Sequence, residues 1–521
     1  MAERRLMALP GLLGHGRQRG LLAVSALTLA QGVGAGAAAF ATRGLFEALH
    51  GPAVLPVTLL VTLAASGVVI AMARVAARVT GERLGQSYAR DIRLALFEHA
   101  AGMSASDVAA RRNGYMSLRF VGDMTAFRNW VGLGLPRLVA GIILIPMALA
   151  VLWLLAPIFA LATLPLVIVT LGTIGFGGFH LRPLHRRLRA RRARIAVDMA
   201  ERMPMAPELD HLGRRGIETD RLDRKIDRMV QAAIARIRMA EALKAIPDIL
   251  AGLAAMVIIL SGFRSGATPG EIAGGLAAFG LMISPLRDLA TVWNLYSAWR
   301  SAAIKADAAL SRRQRGSYVK TRALPKGPIA IAISSLEMPS GSRFELDLDA
   351  GGNALLDLNE HDTAYLFDAL RGLEKIPEGR IGFSGLCLGQ VSRGSLRRGI
   401  VAISPEPLIL RGSLRRALTL GISRRKDDAH IETLAKEAGL ADALSRLGGL
   451  DGKLSEGGRN LSFSERMLVS LVRAMQLRPG LILMDSRIGS LENAARQKIA
   501  DWISRSGATL LLQRGTFDNL P

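Results

Sequence analysis

The sequence predicts an α-helical membrane domain, with six transmembrane helices and long cytoplasmic helical extensions, followed by a cytoplasmic α/β domain. Three observations predict it. Apolar runs of bilayer length recur through the first half of the chain. Basic residues gather in alternate connections between those runs. Beyond Ser311 the apolar runs shorten to strand length and alternate with helical stretches.

A membrane-spanning helix needs about 20 largely apolar residues. Leu21 to Phe46 meets this, interrupted only by Thr28, Gln31, Thr42 and Arg43. Leu55 to Ala73 carries no charge. Leu133 to Leu155 and Ile158 to Phe179 follow, joined by Ala156-Pro157. Ile249 to Phe263 is shorter, and Ile272 to Leu286 continues into Trp293. A signal peptide is the competing reading of the basic N-terminus, but the later apolar runs favour an ordinary first span.

The chain has 67 Lys+Arg against 43 Asp+Glu, a net charge of +24. Such an excess suits either nucleic acid or a membrane protein's inner loops. Position decides between them. Arg4, Arg5, Arg17 and Arg19 precede the first span. Arg74 to Arg119 fill the connection after the second, and Arg182 to Arg194 follow the fourth. The other connections are short. Both termini and both long connections are therefore expected in the cytoplasm, with the chain in the cell (inner) membrane. The expected partner is the lipid bilayer and not nucleic acid. Cys387 is the one cysteine, so neither an intrachain disulfide nor a cysteine-based metal site is available, and no metal site is expected.

Both long connections carry apolar residues at helical spacing, as in Leu94, Leu96 and Phe97 or Ile226, Met229 and Val230. They are expected to be helices running out of the membrane. Within the first span, Gln31 reads better as a satisfied interhelical hydrogen bond than as part of a substrate path.

The soluble part starts after a basic, proline-containing stretch. Strand-like runs lie at Ile329–Ile333, Asn353–Leu356, Ile400–Ile403, Leu481–Met484 and Thr509–Leu512. Helical stretches lie at Ala364–Leu373 and Glu465–Met475. The alternation points to a mostly parallel sheet. The organisation is then a cytoplasmic segment over 1–20, a transmembrane domain over 21–310, a linker over 311–328 and an α/β domain over 329–521.

This order resembles the ABC exporter family, as a half-transporter. In the membrane half the resemblance rests on Gly81-Glu82-Arg83-Leu84, Arg119-Phe120-Val121-Gly122-Asp123 and Ser284-Pro285-Leu286-Arg287-Asp288-Leu289. In the soluble half it rests on Glu378-Gly379-Arg380-Ile381, Ser395 to Ile400, Pro407 to Leu414, and Glu456 to Ser462 with Arg466. Leu481-Ile482-Leu483-Met484-Asp485 is similar to a Walker B strand, and Gly489-Ser490-Leu491-Glu492 to a D-loop. The resemblance implies a P-loop-NTPase-like domain.

Yet the residues that would handle ATP are changed. A P-loop needs glycines for phosphate-facing N–H groups, a lysine, and a Ser/Thr for Mg²⁺. Here the stretch is Asp357-Leu358-Asn359-Glu360-His361-Asp362-Thr363-Ala364-Tyr365, without glycine. Thr363 stands at the lysine position and Ala364 at the magnesium-ligand position. Asp357, Glu360 and Asp362 add acid where a polyanion would sit. Pro405 stands at the Q-loop glutamine, Ser486 at the catalytic glutamate after Asp485, Arg514 near the H-loop histidine and Met338 at the adenine-stacking aromatic. The signature reads Leu461-Ser462-Phe463-Ser464-Glu465, with Ser462 kept, two glycines replaced and one more acid.

No catalytic, nucleotide-binding or metal site is therefore expected. Ser462 and Asp485 are residual family positions, and the loop acids read as a solvated surface. The resemblance implies an exporter subunit with little or no ATP binding or hydrolysis of its own. It would pair with a second ABC half-transporter as a heterodimer, which would supply the ATP and Mg handling. A non-transporting regulatory or scaffold protein is the alternative, and an active homodimeric exporter is less favoured.

Overall fold

The structure is a computed structural model that describes residues 8–50, 56–109, 124–315, 321–377, 379–404, 407–422 and 427–516. The chain divides into two compact units. One comprises Met1–His99 with Arg111–Arg312, the other Ala100–Ala110 with Arg313–Pro521.

Helices dominate the first unit: α1 (Arg17–His50) and α2 (Val57–Ala101) precede α4 (Met124–Leu155), α5 (Pro157–Arg202), the short α6 (Ala206–His211), α7 (Arg215–Ser265) and α8 (Pro269–Leu310). The short α3 (Ala105–Ala109) belongs to the other unit. Among the described residues, six helices are long and apolar enough to cross a membrane. Each contains one of the runs read from the sequence, and α2, α5, α7 and α8 continue well past the apolar stretch as charged extensions. Leu55 and the Arg119–Asp123 motif lie outside the described residues.

Small residues set the helix spacing. A Cβ on Gly81 would stand 2.7 Å from the carbonyl oxygen of Gly132, and one on Gly85 would stand 2.5 Å from that of Arg128. Backbone therefore meets backbone where α2 crosses α4, the close approach that small residues permit between membrane helices. At this crossing α4 carries a π-helical stretch, Trp130–Gly134. Trp130 then packs against Tyr296 and Trp299 of α8. Elsewhere the interior is mostly aliphatic, with Ile145, Leu152, Ile258, Met282 and Leu286 buried together around Phe159. Outward faces keep large apolar residues exposed, such as Val61, Val68, Met72 and Val75 of α2, as lipid-facing surfaces require.

In the second unit a parallel sheet runs in the order β3 (Asn353–Leu356), β10 (Thr509–Gln513), β9 (Leu481–Met484), β6 (Ile400–Ile403). β9 and β10 are buried along their whole length, as central parallel strands must be. A second sheet is antiparallel, in the order β2 (Arg343–Leu348), β1 (Ile331–Glu337), β4 (Ile381–Phe383), β5 (Leu386–Cys387). The sequence reading did not separate this sheet. β2 alternates apolar and polar residues, the mark of a half-covered antiparallel strand. Helix α9 (Glu360–Leu370) shares one core with both sheets through Leu366, Phe367 and Leu370. It starts four residues earlier than the expected Ala364, because Asn359 caps it. The remaining helices include α14 (Phe463–Leu477), whose buried face includes Met467, Leu468, Leu471 and Val472.

Replacing Gly85 with leucine should force α2 off α4. Overpacking of this kind costs about 1–3 kcal/mol. The melting temperature of the purified protein, followed by tryptophan fluorescence, should fall; an unchanged value would show that the crossing is not tightly packed.

Candidate functional site

In open α/β sheets ligands bind beyond the carboxyl ends of the parallel strands. In this chain β3, β10 and β9 end side by side, with Leu356 opposite Gln513 and Leu512 opposite Met484. The residues that follow are Asp357, Arg514 and Asp485, so the topology brings the P-loop-like, H-loop-like and Walker B-like positions together.

The side chains at this edge bind one another. Asp485 is only 14% exposed, and Arg487 grips it with two prongs: Nε donates to Oδ1 at 2.9 Å and Nη2 to Oδ2 at 2.7 Å. The backbone N–H of Arg487 also donates to Oδ1 at 2.9 Å. Thus Asp485 caps the turn that follows its strand. The same guanidinium lies 3.7 Å from a Glu360 carboxylate oxygen. Arg514 pairs with Asp357 at 3.3 Å, although both are exposed. Buried Gln513 accepts from the Ser486 N–H at 3.1 Å and donates to the Leu358 carbonyl at 3.4 Å. One amide therefore joins the loop after β9 to the loop after β3.

Asp362 departs from its expected place among the loop acids. It is buried, and accepts from the Ser340 N–H at 3.1 Å and the Asn359 amide at 2.8 Å. Its carboxylate fastens the β1–β2 turn to α9 and does not stand in the loop beside Asp357 and Glu360. Burial pushes its pKa up, but the bonds from Ser340 and Asn359 outweigh this and hold it below the ordinary carboxylate value. Thr363 spends its hydroxyl on the Asn359 carbonyl at 2.9 Å, a helix back-bond. Ala364 is exposed and carries no oxygen for a metal. Met338, expected at an adenine-stacking position, is buried in the core and has no free face. Pro405 lies outside the described residues.

At the signature, Ser462 caps α14, accepting from the Glu465 N–H at 3.1 Å, while the Glu465 carboxylate accepts from the Ser462 N–H at 2.7 Å. This is a capping box. Arg446 adds two bonds to Glu465, at 2.8 and 2.7 Å. Burial raises the Glu465 pKa, but Arg446 and the Ser462 N–H prevail and the net shift is downward. The acid added to the signature is therefore already neutralised within the chain. The sequence alone implied a bare negative patch at both places; in the structure, arginines counter much of it.

Two other features stand out. Gln31 does not bond across helices as expected. Its amide donates to the Leu27 carbonyl of its own helix at 3.4 Å. It lines a cavity of about 230 Å³ in the membrane unit, with Arg74, Met147, Ser284 and Asp288. In the second unit, α3 is held by buried Glu374, which accepts from the Ser106 N–H at 2.6 Å and hydroxyl at 2.9 Å. Arg315 donates from its backbone N–H to the Gly102 carbonyl at 2.8 Å and from its side chain to the Ala101 carbonyl at 2.7 Å. This explains why the end of α2 and the α3 segment, residues 100–109, group with the α/β unit. Sequence reading missed Arg487, Gln513, Glu374 and Ser106. Arg487, two residues after Asp485, was open to a search for local counter-ions. Nothing in the sequence pairs Ser106 with Glu374.

Six membrane-length helices among the described residues, followed in the chain by an α/β unit with a Walker B-like position at the end of β9 and a signature-like position at the start of α14, define an ABC-type half-transporter. Comparison with known proteins agrees. Residues 27–286 match the ABC transporter transmembrane region. The chain is 21% identical over 463 residues to an ATP-dependent lipid A-core flippase of Desulfotalea psychrophila, covering 84% of this chain and 77% of that protein. It is 22% identical over 457 residues to the uncharacterized ABC transporter ATP-binding protein YfiB of Bacillus subtilis, covering 82% and 77%. A second lipid A-core flippase, from Colwellia psychrerythraea, matches at 25% over 250 residues, 46% of this chain and 42% of its own length. The chain belongs to the ABC transporter family, as a multi-pass exporter-type half-transporter.

Two outcomes test this geometry. Because the Asp362 pKa is lowered on folding, its contribution is present above the ordinary carboxylate range near about pH 4 and is lost as pH falls through the lower folded value. Asp362→Asn should lower stability at neutral pH and flatten the acid side of a melting-temperature profile; an unchanged acid slope would count against the assignment. Glu374→Ala should speed amide exchange at Ala105 and Ser106, and unchanged exchange there would mean that Glu374 does not hold α3.

Proposed function

We propose that this chain is a subunit of an ABC-type exporter that contributes one transmembrane half to the transport pathway and binds little or no ATP itself. The observation that supports this most is the fork between Arg487 and Asp485. A Walker B aspartate serves ATP by holding Mg²⁺. In this chain that carboxylate has both oxygens engaged by a guanidinium. Thr363 offers no charge to a phosphate, Ala364 no oxygen to a metal, and Ser486 no general base of suitable pKa. The residues present do not fit a Mg-nucleotide complex, so no hydrolytic step is assigned to them.

ATP handling would then fall to a second half-transporter with an intact P-loop, in a heterodimer. The positive-inside pattern supports an inner-membrane location with both termini and the α/β unit in the cytoplasm. The two flippases among the relatives, and the apolar spans, support a lipid-like amphiphile as cargo. One observation favours the alternative of a non-transporting regulator or scaffold: Phe463 stands 37% exposed at the start of the signature helix, where a partner's phosphates would need close backbone approach.

Titration of the purified protein with a fluorescent ATP analogue and Mg²⁺ should give no saturable signal that unlabelled ATP displaces. Purification from its native membrane should bring down a half-transporter with intact Walker motifs. Displaceable binding by this chain alone would overturn the first part of the reading, and recovery as a homodimer or monomer would overturn the second.

A further inference from the structure

We propose that Arg487 is a built-in cation that takes a ligand's place at the carboxyl edge of the parallel sheet, holding the loops after β3 and β9 in one arrangement whether or not nucleotide or divalent cation is present. This rests on the reading that the domain does not use ATP.

Three carboxylates meet this edge: Asp357 and Glu360 from the loop and first turn after β3, and Asp485 from the end of β9. Without cations they would repel each other. Arg487 and Arg514 supply two positive charges from the chain itself. The two arginines are not equal. Arg514 and Asp357 are 71% and 82% exposed, and exposed pairs contribute little. Asp485 is largely buried, and its pairing with Arg487 is bidentate, the geometry that makes an arginine–carboxylate pair strong and directional. The same guanidinium lies 3.7 Å from Glu360, itself 71% exposed, a second and weaker ion pair between the turn after β9 and the first turn of α9.

A ligand shifts a conformational equilibrium only by its different affinity for the two states. Here the cation is covalently part of the chain, and its charge does not titrate in any ordinary pH range. The edge therefore has no external ligand whose arrival would move its loops. Gln513 makes the same connection with neutral groups, bridging Ser486 and Leu358. A half-transporter built this way keeps a static α/β unit and leaves ligand-driven movement to its partner.

Hydrogen exchange on the full-length protein in lipid nanodiscs tests this, alone, with MgCl2, and with MgATP. Wild-type amides of 357–363 and 485–490 should exchange slowly and equally in all three conditions. R487A should speed 485–490 by about tenfold and 357–363 by a smaller factor while β1 stays unchanged. R487K, which keeps charge but loses the fork, should fall between the two, and R514A should change 357–363 by no more than about twofold. If R487A loosens β1 as well, R487K carries the test: faster exchange confined to the two segments supports the proposal, and no change overturns it. Wild-type rates in R487A would also overturn it. Slower wild-type exchange with MgATP would instead overturn the nucleotide-free reading, and the response to R487A would still report on the tether separately.

Discussion

A carboxylate at the end of a buried parallel strand must find a positive charge, and the source of that charge decides what the α/β unit can do. Asp485 follows β9, a strand buried at every position. Its surroundings are too dry to leave it unpaired at little cost. In a nucleotide-driven site the charge arrives as a metal ion with the phosphates. In this chain it arrives two residues later, as Arg487. The rest of the edge follows from that choice. Thr363 turns its hydroxyl back to its helix, Asp362 turns inward to Ser340, and Gln513 bridges the two loops. Asp485, Thr363, Asp362 and Gln513 each have an internal partner.

The membrane unit obeys a different constraint. Lipid supplies no hydrophobic drive between helices, so close backbone packing must do that work. Gly81, Gly85 and Gly132 provide it where α2 crosses α4. The charged extensions of α2, α5, α7 and α8 belong to the same helices as the apolar spans. The α3 segment is anchored in the α/β unit by Glu374 and Arg315. The chain thus keeps the membrane helices and the parallel sheet expected of an ABC-type half-transporter.

Much of the fold was legible in the sequence because it depends on local pattern. All six spans follow from apolar length, and the parallel strands follow from short buried runs such as Leu481–Met484. The antiparallel sheet was not read, since β1 pairs on one side with β2 and on the other with β4, which lies some forty residues downstream. At the site, the residue types were legible and their partners were not. Asp357, Glu360, Asp362 and Glu465 all read as free negative charge. Yet Glu465 meets Arg446 from a different helix, and Asp362 meets Ser340 at the β1–β2 turn of the second sheet. Long-range pairing is set by topology, so composition overstated the repulsion at both places.

On the proposed reading, the chain's own Arg487 occupies the edge where a Mg-nucleotide would bind. A density map of the full-length protein in lipid nanodiscs, prepared with saturating MgATP, tests it most directly. The account predicts Arg487 forked onto Asp485 and no nucleotide or metal density between β9 and α9. Density for Mg-nucleotide at that position, with Arg487 swung away from Asp485, would contradict it.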